Sequence, residues 1–183
     1  MDKVKKVILL SHCVLNEKSK VKKSEINPPG DISNFLNILL EKEIGIIQLP
    51  CPELTCYGLK RWGHVKEQFD TIHYRKHCRN LFNIYLDQLK EYIKNDYEIV
   101  ALIGIEGSPT CGIYKSCTGE WMGEIGSNES LPEMLSTIKL SNTSGILMEE
   151  IKCILDKNNI EIPYIDFNKN YIDDFLVKLK KLI

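Results

Sequence analysis

One stretch of the chain, Ile99–Gly119, constrains the fold more than any other. It opens with the apolar run Ile99–Ile105, which is followed by the turn residues of Gly107–Pro109. A short apolar run bounded by turn residues is typical of a buried β-strand. Cys111 comes just beyond the end of that run, so this stretch predicts a buried strand that leads directly to a cysteine.

Two other cysteines occupy the same position relative to predicted strands. Cys13 follows a strand predicted at Val4–Leu10, and Cys51 follows a strand predicted at Ile46–Leu49. A fourth strand is predicted at Ile162–Phe167. Helical spacing of apolar residues between the strands predicts helices at Asn34–Lys42, His64–Asn95, Gly145–Lys157 and Asp173–Leu182.

The alternation of strands and helices predicts an α/β fold, with an open parallel, Rossmann-like sheet of about four strands and flanking helices. A length of 183 residues favours one domain, spanning residues 1–183. The segments Val14–Gly30 and Cys111–Leu140 are predicted to be irregular. In open parallel sheets, ligands bind beyond the carboxyl ends of the strands. Since Cys13, Cys51 and Cys111 all fall on that edge, the fold can bring together thiols that are far apart in the chain.

Charge and hydropathy exclude several classes of function. The net charge is −1, which gives no electrostatic argument for binding nucleic acid or an anionic membrane. No apolar run approaches the ~20 residues that a membrane-spanning helix needs. The first apolar run is too short for a secretory signal, which predicts a cytoplasmic protein. In a reducing compartment, seven cysteines indicate metal binding, catalysis or buried thiols, and argue against a disulfide framework.

The three cysteines at strand ends allow three interpretations: metal ligands, catalytic or redox thiols, and structural thiols. Each lies in a loop beside Pro, Gly or polar residues, whereas a packing cysteine belongs inside a strand. Thiolates are good ligands for zinc and for iron–sulfur clusters. A structural zinc site usually contains a close C-x2-C pair, and the nearest spacings here are Cys51-x4-Cys56 and Cys111-x5-Cys117. If three thiolates held a four-iron cluster, one iron would stay open to a sulfur-bearing substrate.

Three motifs, taken in order, resemble the TudS-like 2-thiouracil desulfidases. They are Ser11-x-Cys13-x-Leu15, Cys51-Pro52-Glu53 and the segment Gly107–Gly112, each after a predicted strand. The segment Thr118–Gly123 is similar to a glycine- and aromatic-containing stretch of that family. Gly145–Phe167 looks like its last βα portion, so the resemblance spans about residues 4–167.

The resemblance implies a [4Fe-4S] cluster held by Cys13, Cys51 and Cys111. It also implies non-redox removal of sulfur from a thiolated nucleobase or a similar small thio-compound, with the sulfur passing transiently to the fourth iron. Glu53 would be the acid/base group, and Ser108 would be a hydrogen-bonding partner. After Cys13 the family usually continues with a Gly and a downstream Arg-Tyr-Asp-Gly run. This chain has Val14-Leu15-Asn16 and a lysine-rich loop instead, which is typical of a divergent branch and leaves the substrate open.

Further residues near these motifs are candidates for binding substrate, each with an ordinary structural alternative. His12 could orient the substrate or simply cap a turn, and Asn16 could read the edge of a base. Trp121 could stack on a heterocycle. The same is true of three other aromatic residues in loops: Tyr57, Trp62 and Tyr114. The structural alternative for each is packing in a small hydrophobic core. Glu53 could instead be an ordinary glutamate in a loop or at the start of a helix, and Ser108 could be an ordinary turn residue. Glu106 is the alternative candidate for the acid/base carboxylate.

The remaining cysteines and the overall function also have alternatives. Cys56 and Cys117 could accept sulfur, supply a fourth ligand or be bystanders, whereas Cys78 and Cys153 fall inside predicted helices and suit packing. The predicted partner is a small thiolated molecule, and the sequence does not specify the oligomeric state. A zinc- or thiol-dependent small-molecule hydrolase is one alternative function. A non-catalytic iron–sulfur sensor is another.

Overall fold

A computed structural model describes residues 4–21 and 32–183. Its main sheet has four parallel strands in the order β2-β1-β3-β6. Numbered along the chain, the strands are β1 (Lys6–Leu10), β2 (Gly45–Gln48), β3 (Glu98–Ile105), β4 (Ser116–Thr118), β5 (Lys139–Ser141) and β6 (Tyr164–Phe167). The predicted α/β fold with an open parallel sheet of about four strands is confirmed.

Helices cover both faces of this sheet. The described residues form α1 (His12–Leu15), α2 (Ser33–Glu41), α3 (Pro52–Tyr57), α4 (Lys66–Phe69), α5 (Ile72–Lys94), α6 (Leu131–Ser136), α7 (Ile146–Lys157) and α8 (Ile172–Lys180). None of the helices in these two described ranges is both long and apolar enough to cross a membrane.

Alternation along β1 shows how the core is divided. Val7 and Leu9 belong to the hydrophobic cluster that contains the buried faces of α5 and α7. Ile8 and Leu10 belong to the cluster on the other side, with residues of α2 and α8. Successive side chains of a strand point to opposite faces. A strand covered on both faces therefore needs an unbroken apolar run, as this one has.

The strand order places a topological switch point beside β1. The chain passes from β1 to β2 on one side and then crosses to β3 on the other side of β1. Connections that leave neighbouring parallel strands in opposite directions open a crevice at their carboxyl ends. Cys13, Cys51 and Cys111 follow β1, β2 and β3, so all three enter this edge of the sheet.

Several local predictions were wrong. The segment Val14–Gly30 is not simply a loop, because α1 includes Val14 and a 3₁₀ turn covers Glu17–Ser19; its residues 22–30 lie outside the described ranges. The helix predicted at His64–Asn95 is divided into α4 and α5. The division occurs at Thr71, whose side chain accepts a hydrogen bond from the Tyr74 N–H at 3.1 Å and begins α5.

Two further regions contain regular structure that periodicity did not indicate. The segment Cys111–Leu140 holds β4, α6 and, at its end, the start of β5, which pairs antiparallel with β4. The residues after Cys51 form α3 where a loop was expected. These elements have at most six residues each, too few for hydrophobic periodicity to indicate them.

Candidate active site

Cys13 lies in the first turn of α1, immediately beyond the carboxyl end of β1. The backbone N–H of Ser11 donates to the carbonyl oxygen of Ile103 at 2.9 Å, which fixes the start of this turn to β3. The Cys13 sulfur lies 3.3 Å from the hydroxyl oxygen of Ser19, and either group can donate. Ser19 is buried and also donates to the carbonyl oxygen of Asn16 at 2.7 Å. The Cys13 thiol is therefore held against a closed, polar turn.

Cys51 is the residue that caps the N-terminus of α3. Its sulfur accepts a hydrogen bond from the Leu54 N–H at 3.4 Å, and Pro52 occupies the first helical position, where its missing N–H costs nothing. Gly58 ends the helix with a φ of 75°, a backbone conformation that glycine adopts without strain. This short helix therefore fixes the side chain of Cys51 at the carboxyl end of β2.

Cys111 lies in a tight turn that Ser108 organises. The Ser108 hydroxyl oxygen accepts hydrogen bonds from the Thr110 N–H at 3.3 Å and the Cys111 N–H at 3.0 Å. A Cβ on Gly112 would lie only 2.0 Å from the carbonyl oxygen of Lys115, so the turn requires glycine there. Ser108 thus has a structural role in this turn, and its own hydroxyl proton remains able to donate to a ligand.

The structure brings the three thiols together. Hydrogen bonding with the Cys51 side chain lowers the pKa of Cys13 to about 7, against an opposing effect of burial. The same bond, with burial and the negative charge that Cys111 can carry, raises the pKa of Cys51. Burial and then Cys13 raise the pKa of Cys111. Cys13 therefore acts on both other thiols, and Cys111 acts on Cys51, at the predicted edge of the sheet.

Glu53 lies beside this group, in the first turn of α3. Its carboxylate is close enough to raise the pKa of both Cys13 and Cys111. Its Oε2 accepts a hydrogen bond from the Nε of Arg61 at 3.0 Å, in an ion pair whose side chains are 13% and 2% exposed. The predicted carboxylate is thus next to the thiols, with a buried partner that the sequence analysis did not identify.

Buried polar groups complete the surroundings of Cys111. The hydroxyl of Thr110 lies 3.2 Å from that of Tyr74, and both residues are fully buried. Burial raises the pKa of Tyr74, so its hydroxyl stays protonated. The Ser11 hydroxyl acts against the rise in the Cys111 pKa, although this buried oxygen has no hydrogen bond of ordinary geometry within the described residues. Hydroxyl groups therefore lie beside the Cys111 thiol, and that of Ser11 remains able to bond to a ligand.

His12 and Asn16 lie on α1 and contact each other. The Nε2 of His12 is 3.2 Å from the side-chain nitrogen of Asn16, and the carbonyl oxygen of His12 accepts from Gln48 at 2.9 Å. Both residues therefore flank Cys13 on the same short helix. Their predicted contact with substrate remains a prediction.

Trp121 lies in a separate small cavity. This cavity has a volume of about 130 Å³, and its lining includes Trp62, His64 and Gln68. The His64 ring stacks on Tyr57 of α3, with ring centroids 5.5 Å apart. Trp121 and His64 thus line one cavity, and His64 in turn contacts the helix that Cys51 begins.

Glu106, the alternative candidate for the acid/base carboxylate, forms its contacts with other residues. It accepts from the Asn168 side chain at 2.5 Å and pairs with Lys115 at 3.3 Å. Both bonds lower its pKa. Together with Tyr114 it lines a larger cavity of about 820 Å³ between β6 and α8. This cavity is bordered by a different strand end from those that carry Cys13 and Cys51.

The other cysteines differ in their surroundings. Cys56 packs against the hydrophobic cluster that contains Cys78, and it contributes to the raised pKa of that residue. Cys117 lies in β4, and Cys153 is exposed on α7. Cys78 is fully buried within α5, as expected for a packing residue.

Arg61 is the functional candidate that the sequence analysis missed, although a signal was present. The chain has 24 lysines and arginines, and only three are arginines: Arg61, Arg75 and Arg79. All three form ion pairs with carboxylates. In a chain that uses lysine almost everywhere, an arginine indicates a position where the planar guanidinium is needed.

The donor set suits an iron–sulfur group. Within residues 4–21 and 32–183, no set of three or more His, Cys, Asp and Glu side chains is arranged around one metal-ion position. In a four-iron cluster each cysteine thiolate binds a different iron, so the cysteine sulfurs need not point at one common position. Three neighbouring thiols and the unpartnered Ser11 hydroxyl fit such a group.

Fold and site together define an α/β protein with a cluster of thiols at the switch point of a parallel sheet. A family model described as "Putative 2-thiouracil desulfurase" matches residues 5–122. The chain belongs to this family.

A curated relative and a solved structure resemble the chain over nearly its whole length. The uncharacterized protein MJ0003 of Methanocaldococcus jannaschii is 37% identical over 183 residues, covering 99% of each chain. A solved structure of the [4Fe-4S]-dependent thiouracil desulfidase TudS is 16% identical, with a TM-score of 0.49, and the match covers 97% of this chain and 99% of that one.

Proposed function

We propose that the protein removes sulfur from a thiolated nucleobase or a similar small thio-compound, using a [4Fe-4S] cluster held by Cys13, Cys51 and Cys111. The observation that carries this proposal is that Cys13, Cys51 and Cys111 directly follow three neighbouring parallel strands at the switch point, near enough for Cys13 to raise the pKa of both other thiols. Membership of the desulfurase family supports the same class of reaction. In this proposal residues 1–183 act as one desulfidase domain.

The three thiolates would hold the cluster and leave one iron without a protein ligand. When bound, the cluster supplies that iron as a Lewis acid for the sulfur of a C=S group, which makes the attached carbon electrophilic. Thiolate ligands suit iron–sulfur clusters. The low pKa of Cys13, caused by the Cys51 hydrogen bond, favours a thiolate already at neutral pH.

Glu53 would act as the general base. It takes a proton from the water molecule whose oxygen bonds to the substrate carbon, and the C–S bond then breaks so that sulfur leaves as sulfide. Oxygen replaces sulfur on the carbon, so the reaction needs neither an oxidant nor a reductant. The Ser108 hydroxyl, whose oxygen already accepts two backbone N–H groups, would donate its proton to the substrate.

Substrate binding is assigned to the residues around this centre. His12 and Asn16, paired with each other on the helix that carries Cys13, would hydrogen-bond to the edge of the base. Trp121 shares with Trp62 a cavity whose lining residues include none of the three cysteines, so it would stack on a part of the substrate away from the C=S group. A small thiolated heterocycle matches this combination of polar and aromatic groups.

The test is purification without air, followed by metal, sulfide and activity measurements. We expect about four irons per chain, the stoichiometry of a single cluster, and release of sulfide from 2-thiouracil. Zinc without iron would favour the hydrolase alternative. Bound iron with no sulfide released from any small thio-compound would favour the sensor alternative.

Replacing Glu53 tests the proposed base. Glu53→Gln keeps the shape of the side chain but not its basicity, so it should retain iron and lose about 10²- to 10⁴-fold in turnover, the usual contribution of a general base. Sulfide release per bound iron measures this. Glu106→Gln is the matched control, because that carboxylate faces the other cavity, and it should keep full turnover. Undiminished turnover of Glu53→Gln would remove Glu53 from the mechanism.

A further inference from the structure

Arg61 has a more constrained environment than a surface loop residue. Its side chain is only 2% exposed, and three of its nitrogens donate hydrogen bonds in three directions. Nε donates to Oε2 of Glu53 at 3.0 Å, and the two terminal nitrogens donate to the carbonyl oxygens of Gly58 at 3.0 Å and Ser19 at 2.7 Å. The guanidinium therefore spans both ends of α3 and the 3₁₀ turn that follows α1.

These contacts connect two of the cysteine-bearing segments. Ser19, whose carbonyl oxygen receives one bond, places its hydroxyl 3.3 Å from the Cys13 sulfur. Glu53, whose carboxylate receives another, lies two residues after Cys51. One buried side chain thus joins the surroundings of Cys13 to the helix that Cys51 begins.

The contact also distinguishes the two oxygens of Glu53. Among the hydrogen bonds of the described residues, Oε2 accepts the one from Arg61 and Oε1 accepts none. A carboxylate held by one oxygen keeps a fixed orientation, while its other oxygen stays free to take a proton. Such an arrangement suits a general base better than a carboxylate that rotates freely.

We propose that Arg61 is a positioning residue that fixes Glu53 and the Cys13 turn relative to each other for desulfuration. This inference rests on the proposed function of Glu53 and deepens it. Only the planar, three-nitrogen guanidinium can reach all three acceptors, because the single nitrogen of lysine cannot occupy three separate positions. The ion pair is buried, so it has a defined geometry that an exposed pair lacks.

Kinetics of Arg61→Lys provide the first test. This variant keeps the positive charge and loses the three-way geometry. We expect the same iron content as the unchanged protein, a similar KM for 2-thiouracil and a kcat about 100-fold lower, the effect of a small misplacement of a catalytic group. Arg79→Lys is the matched control, because Arg79 pairs with Glu150 on α7 and should leave both constants unchanged. Full kcat in Arg61→Lys, or a loss confined to KM, would overturn the proposal.

NMR of the metal-free protein provides a second test that does not depend on activity. The chain has three arginines, so three Nε–H signals are expected. The Arg61 signal should exchange slowly with solvent, because this group is buried and donates to Glu53. Glu53→Gln should shift this signal and leave those of Arg75 and Arg79 in place. An Arg61 signal that exchanges rapidly, or that ignores Glu53→Gln, would contradict the proposed contact.

The two measurements separate this inference from the proposed function. Absence of iron and of sulfide release in the unchanged protein would count against the desulfidase assignment. The NMR result would still decide whether Arg61 holds Glu53. If the unchanged protein releases sulfide and Arg61→Lys is fully active, the desulfidase assignment stands and the positioning role is wrong.

Discussion

Cysteines occur in two contrasting regions of this molecule, the carboxyl edge of the sheet and the core beneath it. Cys51 and Cys111 at the edge are 5% and 8% exposed, and Cys78 in α5 is 0% exposed. Burial therefore hardly distinguishes them. Cys111 belongs to the same hydrophobic cluster as Cys78, but Cys13 and Cys111 interact in addition with the Glu53 carboxylate and with serine hydroxyls.

The pKa values of the thiols follow these neighbours. Hydrogen bonding with Cys51 lowers the pKa of Cys13 to about 7, whereas burial raises the pKa of Cys78 to about 12. Because the thiolate is the form that binds metals and acts as a nucleophile, Cys13 should be the more reactive of the two thiols at neutral pH. The comparison teaches that a hydrogen bond can outweigh burial, since burial acts to raise the pKa of both Cys13 and Cys78 and only that of Cys13 is lowered.

The largest expected difference between the two regions is in iron binding. Cys13→Ala, Cys51→Ala and Cys111→Ala should each lose the cluster, because each removes one of only three proposed ligands. Cys78→Ala should keep it. Iron and sulfide per chain, measured on protein purified without air, check this. Full iron content in Cys111→Ala would show that the ligand assignment is wrong.

A smaller difference is expected in the rates at which the thiols of the metal-free protein react with iodoacetamide. At neutral pH about half of Cys13 is thiolate, given its pKa of about 7. A negligible fraction of Cys78 is ionised, with its pKa of about 12. Since the thiolate is the nucleophile, Cys13 should be labelled much faster than Cys78, as peptide mass spectrometry would show.

The pH dependence of that labelling sharpens the prediction. The Cys13 rate should reach half of its maximum near pH 7, level off about one to two pH units higher, when the thiolate is fully formed, and fall as the pH drops below 7. Cys51 and Cys111 should react more slowly than Cys13, because their pKa values are raised. Equal rates for Cys13 and Cys78 would contradict the assignment of different environments.

The smallest expected effect is on stability. Cys78→Ala leaves a small cavity in the core and should lower the free energy of unfolding by about 1 kcal/mol. Cys153→Ala, at an exposed position of α7, should stay within about 0.5 kcal/mol of the unchanged protein. Urea unfolding of the metal-free proteins measures both. A larger loss for Cys153→Ala than for Cys78→Ala would reverse the expected order.

Much of the fold could be predicted because local patterns report burial. The apolar runs predicted all four strands of the main sheet, since a strand covered on both faces must be continuously apolar. The short helix α3 was missed although Pro52, Glu53 and Gly58 are ordinary start and stop residues. A helix of six residues has too few apolar positions to establish a period.

The sequence by itself determined where the strands end, and so which cysteines directly follow them at the carboxyl edge of the sheet. Only the tertiary structure decided that β1 lies between β2 and β3, that the Cys51 side chain hydrogen-bonds with Cys13, and that Arg61 reaches both Glu53 and Ser19. The physical reason is how far apart in the chain the interacting residues lie. The pattern of apolar residues close together in the chain predicts which face of a strand or helix is buried. Contacts between distant segments depend instead on how whole elements pack together.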